Sequence, residues 1–210
     1  MSMNNKFFGV GIGASAGGQK ALCEFFAALP SDTGAAYFVA THLLRDFKSE
    51  LDAILQRYTD MPVIRVTETM PIRPDTVYVL VENTMMFIID DELNIRARSE
   101  SEMINKAANI FLSSLAGSFK EKAVAIILSG SGDDGVEGIR EINKYRGTVL
   151  VQSPQSSQHS GMPFAAIQSD HPTAIKKPSG LAKALMIIVD GRAAEIHKPD
   201  PSDVAETQPE

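Results

Sequence analysis

FFGVGIGASAGG, residues 7–18, is the stretch whose reading decides the fold. Phe7–Gly13 is a short apolar run, the pattern of a strand covered on both faces. Small residues follow, and Lys20–Leu29 then reads as a helix. Two templates fit the junction. Gly11, Gly13 and Ala16 satisfy the dinucleotide fingerprint G-x-G-x-x-G/A, which also wants a carboxylate about 20 residues on, at the end of the second strand. That strand ends in Ala40-Thr41-His42, and the acid is missing. Gly13, Ser15 and Gly17 satisfy G-x-S-x-G, a sharp strand-to-helix turn that lifts a serine hydroxyl above the sheet edge. A third reading is structural: a serine capping a helix between packing glycines.

Three further runs read as buried strands: AAYFVATH (35–42), AVAIILSG (123–130) and GTVLVQS (147–153). Helical patterns alternate with them at Phe47–Tyr58, with Leu51, Ile54 and Leu55 on one face, and at Gly135–Tyr145. Alternating strands and helices predict a three-layer, doubly wound α/β fold on a mainly parallel sheet. TVYVLVE (76–82) and MMFIIDDELNIRAR (85–98) read as a meander turning at Asn83-Thr84 and Asp90-Asp91, a short antiparallel excursion at the edge of that sheet. A helix over Asn105–Phe119 leads back to AVAIILSG. The expectation is one domain over 7–190, an N-terminal tail over 1–6, and a disordered tail over 191–210, which is polar and aperiodic.

Composition narrows the function. Apolar residues make up 44% and charged residues 22% of the 210, so the bulk of the chain should fold. A net charge of −6 with no basic stripe argues against a nucleic-acid partner. One cysteine, Cys23, excludes an intrachain disulfide and a cysteine-based zinc site, and it is expected in the core. No signal peptide or membrane span is evident, so a cytoplasmic setting is the default. Asp133 and Asp134 are neighbouring carboxylates without further oxygen ligands nearby, a poor metal cage. No metal and no cofactor are expected.

Open parallel sheets carry their sites at the carboxyl ends of the strands. There the first strand delivers Ser15, the second His42, and the third SGSGDDG (129–135). A serine needs a base to lose its proton, and the base needs an acid to hold its tautomer. All three residue types therefore leave equivalent strand ends. Their order, serine, histidine, aspartate, is not that of the α/β-hydrolases.

At these residues the chain resembles the catalytic domain of the CheB chemotaxis protein-glutamate methylesterases. IGASAGG (12–18), VATHL (39–43), LSGSGDDGVEG (128–138) and VQSPQSSQHSGMP (151–163) are similar to four family segments in the family's order, and the likeness runs over about 7–190. ALPSDTGAAYFVATHL (28–43) is closest in wording to esterase domains fused to methyltransferases. The resemblance implies a Ser15–His42–Asp134 triad with Ser15 as nucleophile, His42 as base and Asp134 as orienting acid. It places backbone oxyanion donors at Ala16 and Ser131. It implies methylated chemoreceptor helices as substrate, glutamine deamidation in some members, and a methyltransferase or a separate receiver protein as further partners. No receiver domain is expected in the same chain. Ala16 and Thr41 stand where many members carry threonine and glutamine. A non-catalytic docking module of the same fold is the alternative. His159 and Met162 are each open to a structural or a groove-lining role.

Overall fold

The computed structural model describes residues 7–41, 48–99, 106–169 and 171–196. Seven parallel strands form the main sheet: β1 (Phe8–Ala14), β2 (Ala35–Thr41), β3 (Val63–Val66), β5 (Thr76–Leu80), β8 (Ala123–Ile127), β9 (Thr148–Gln152) and β10 (Ala174–Lys176). Their order is β10-β9-β8-β1-β2-β5-β3. A separate three-stranded antiparallel sheet holds β4 (Met70–Pro71), β7 (Glu92–Ala97) and β6 (Thr84–Ile89), in the order β4-β7-β6.

Helices cover both faces of the main sheet. α1 (Gly18–Ala27), α2 (Leu51–Leu55) and α6 (Pro178–Val189) bury Phe25, Phe26, Leu55 and Leu185 against Val10, Ile12, Tyr37 and Val39. α3 (Ala107–Phe119), α4 (Val136–Lys144), α5 (Gly161–Ser169) and the small sheet cover the other face. The strands are thus buried on both sides, which is why they read as continuous apolar runs.

The alternation in β1 has a packing cause. Val10 and Ile12 face α1 and α6, whereas Gly9 and Gly11 face α3. A β-carbon at Gly11 would lie 2.6 Å from Leu112 Cδ2, and one at Gly9 would lie 2.8 Å from the Phe119 ring. These glycines let α3 settle onto the strand. Gly11 and Gly13 are strand residues, not a loop, so the dinucleotide reading has no phosphate cradle to rest on.

The fold class is as expected, with corrections. Thr76–Leu80 is not part of the antiparallel excursion: it lies inside the parallel sheet, between β2 and β3, and every residue of it is buried. The antiparallel strands form their own sheet over α3, Ser114 Oγ accepting the Ile88 N–H at 3.1 Å. Val63–Val66 and Ala174–Lys176 are edge strands that the sequence reading lacks, as it lacks α5 and α6. α6 ends in Ile187, Ile188 and Val189, a β-branched run that hides helical periodicity. Past Gly191 the chain still makes a 3-10 turn, Ala193–Glu195, and Ile196 packs against the core. Residues 1–6 and 197–210, the remainder of the expected tails, lie outside the described residues, as does Phe47. Among the described residues no helix is long and apolar enough to cross a membrane.

Candidate active site

Strand order reverses between β1 and β8, the topological switch point where open α/β sheets leave a crevice. β1 and β8 run parallel there, with Gly13 opposite Ile127, and on the other side Ala14 pairs with Thr41 at the end of β2. Ser15 is the first residue beyond β1. The loop Leu128–Gly135 follows β8, and His42 is the residue after Thr41 in sequence but lies outside the described residues.

The turn at Ser15 is tight. Ser15 N–H donates to Ser129 O at 3.0 Å, and Ser15 O accepts the Gly18 N–H at 2.8 Å. Gly17, at a φ of 71°, is the residue that caps α1, and no side chain bonds there. The capping-serine reading is therefore corrected: the Ser15 hydroxyl is not spent on the helix. Glycine is required at 17, since a β-carbon would meet Gln158 Cβ at 2.7 Å and Ser129 Oγ at 2.9 Å. Ser15 is half-buried, and Ala16 and Ser131 are exposed. Among the described residues, no hydrogen bond takes the backbone N–H of Ala16 or of Ser131.

Ser129 ties this rim together, and sequence reasoning missed it. Its hydroxyl donates to Ala16 O at 2.9 Å and accepts the His159 N–H at 3.0 Å. Its own N–H donates to the buried Gln152 Oε1 at 2.8 Å. The loops after β1, β8 and β9 are thereby joined through one serine. His159 contributes backbone, with its C=O accepting the Gly130 N–H at 2.9 Å, while the residue is exposed. Met162 is buried at 1% exposure beneath the loop rather than lining an open groove.

Asp134 is buried at 6% exposure, and both its oxygens serve the start of α3: Oδ2 accepts the Ala108 N–H and Oδ1 the Asn109 N–H, each at 3.0 Å. Asn109 returns the bond, its Oδ1 accepting the Gly135 and Gly138 N–H groups at the start of α4 at 2.9 and 3.1 Å. Two helix starts are thus capped by each other's neighbours. A carboxylate has about four acceptor positions, so Asp134 has capacity beyond these two bonds. Asn109 carried no signal in sequence, because its partners lie 26 and 29 positions away. Asp133 is exposed, and its C=O accepts the Val136 N–H at 3.2 Å. The Thr41 hydroxyl is a buried side-chain polar atom with no partner among the described residues.

A family model described as CheB methylesterase matches residues 10–185. The chain belongs to the CheB methylesterase family. Two curated relatives are named protein-glutamate methylesterase/protein-glutamine glutaminase. One, from Rhizobium meliloti (strain 1021), is 25% identical over 185 residues, covering 88% of this chain and 52% of the relative. The other, from Paramagnetospirillum magneticum, is 30% identical over 180 residues, covering 85% and 51%. This chain thus spans about half the length of these CheB-type relatives. The crystal structure of the Thermotoga maritima CheB methylesterase catalytic domain superposes with a TM-score of 0.80 at 22% identity, over 87% of this chain and 99% of that one. It carries the same fold. The matched span contains the segments around Ser15, Thr41, Asp134 and Met162.

Proposed function

We propose that residues 7–190 form a serine hydrolase domain that cleaves glutamate methyl esters on chemoreceptor helices and, by the same acyl chemistry, deamidates glutamines. One observation carries this reading. Three neighbouring parallel strands, β8, β1 and β2, end level at the switch point, and the residues following them include Asp134, Ser15 and His42. The double name of the relatives supports both substrates, since ester and amide differ only in the leaving group.

In this mechanism His42 takes the Ser15 proton while Oγ attacks the side-chain carbonyl carbon. Asp134 holds the imidazole tautomer and steadies the imidazolium. The oxyanion is met by the N–H groups of Ala16 and Ser131, both left unspent, beside the positive end of α1. Methanol or ammonia leaves with the histidine's proton. Water, deprotonated by the same histidine, then attacks the acyl-serine and releases the glutamate carboxylate. Partners on this reading are methylated receptor helices, with a methyltransferase or a separate receiver protein as further partners.

The test is Ser15→Ala assayed on a methyl-esterified glutamyl peptide and with a fluorophosphonate probe. Methanol release should fall by about 10³-fold or more, and labelling should vanish. A Ser15→Ala variant of near wild-type activity removes Ser15 as nucleophile. A folded wild type that neither labels nor turns over would be a docking module instead.

A further inference from the structure

Ser15 is held at its backbone by Ser129 and Gly18. The side chain meets a third element. A β-carbon at Gly130 would lie 2.9 Å from Ser15 Cβ and 2.1 Å from Met162 Sδ, with Met162 Cγ at 3.0 Å. The Ser15 β-carbon and the Met162 thioether therefore flank the same point above the Gly130 backbone. The methionine reaches on toward β1, its Cε 3.8 Å from where a β-carbon on Gly13 would stand. Its own backbone is fastened to the same loop, Met162 N–H donating to Gly130 O at 2.8 Å. Gly161 makes that approach possible, because a β-carbon there would come within 2.9 Å of Gly132 N.

We infer that Met162 is a positioning residue for Ser15: its thioether fills the slot between Gly13 and Gly130 and supplies the wall against which the serine β-carbon is set. An unbranched chain suits a narrow slot between two glycines, where a β-branched residue could not enter. With the wall present, the loop carrying Ser131 and the turn carrying Ser15 keep a fixed separation. With it gone, the loop can settle toward the strand and the serine turn can shift with it. A displacement near 1 Å at a reacting group is enough to slow chemistry by about 10²-fold. The inference rests on the Ser15 nucleophile reading and adds what fixes the place of its β-carbon relative to the Gly130 loop.

The experiment compares fluorophosphonate labelling rates of the wild type, Met162→Ala, Met162→Leu and Met86→Ala, with thermal melting and ester kinetics alongside. Met86 is buried in the same apolar cluster but in the antiparallel sheet, so it controls for lost core packing. Met162→Ala should label about 10- to 100-fold more slowly and lose kcat with KM little changed. Met162→Leu, which conserves volume, should stay within about 5-fold. Met86→Ala should lower the melting temperature without slowing labelling. Gly130→Ala should also label slowly, and adding Met162→Ala to it should recover part of the rate by making room for the new methyl group. Labelling by Met162→Ala at the wild-type rate, or slowing by Met86→Ala to the same extent, overturns the inference alone. Absence of labelling in the folded wild type overturns the nucleophile reading, and this one with it.

Discussion

At the scale of single residues, Ser129 shows how much of the site depends on a side chain with no chemical step of its own. It is buried at 1% exposure, and its hydroxyl bridges the Ala16 C=O and the His159 N–H across three loops. Ser129→Ala removes that partner from both groups and uncouples the two loops. It should lose about 1–3 kcal/mol of stability in urea unfolding, and ester turnover should fall as the Ala16 turn loosens. Stability and turnover both equal to wild type would show that these bonds do not hold the turn. The candidate nucleophile was legible from its small neighbours and from its place after an apolar run. Ser129 and Asn109 were not, because their partners are remote in sequence and any serine or asparagine looks alike before the chain folds.

At the scale of elements, the helix ends repay attention. α4 closes with a Schellman motif: Gly147 N–H donates to Ile142 O at 2.9 Å and Arg146 N–H to Asn143 O at 2.8 Å. The left-handed position belongs to Arg146, at a φ of 61°, not to the adjacent glycine. Gly147 is needed for space, since a β-carbon there would come within 2.6 Å of Ala123 O. Arg146→Gly should therefore stabilise the protein by about 0.5–1 kcal/mol, less whatever the arginine contributes at the negative end of the helix. A lowered urea midpoint would show the charge to outweigh the strain. The Asp90-Asp91 turn has the same character, with both aspartates at positive φ, 52° and 64°, as a tight hairpin turn demands. The placement of the strand Thr76–Leu80, read as a strand but assigned to the antiparallel excursion, went astray for a different reason. It stands next in sequence to a true hairpin, and adjacency in the chain suggested adjacency in the sheet. Its fully buried pattern was the better guide, because only a strand covered on both faces can be apolar throughout.

At the scale of the whole molecule, the edge of the main sheet is pinned by charge. Arg65 on β3 donates to both Glu82 oxygens and to Asp52 Oδ1, each at 3.1 Å, tying the edge strand to the end of β5 and to α2. Glu82 is held below the usual carboxylate range, first by its own backbone N–H, then by the Ser49 N–H and the Arg65 charge, against opposing desolvation. A depressed carboxyl pKa adds stability that is present above the unfolded value, near 4.3, and lost as pH falls through the lower folded value. Glu82→Gln should thus be about 1 kcal/mol less stable at pH 7, a partly exposed pair being worth no more. The gap should close in unfolding curves taken below about pH 4. A gap unchanged at pH 3 would exclude the ion pair as its source.

The amino-acid sequence by itself determined the layer architecture and which residues follow the strand ends. Runs such as AVAIILSG state their own burial, and a glycine-framed serine states its own turn, because both signals are local. Only the tertiary structure decided the strand order, the switch point between β1 and β8, the exchange of caps between Asp134 and Asn109, and the burial of Met162 against the Gly130 loop. Each of these depends on groups far apart in the chain meeting at hydrogen-bond or van der Waals distance, and no periodicity records where a distant partner will be.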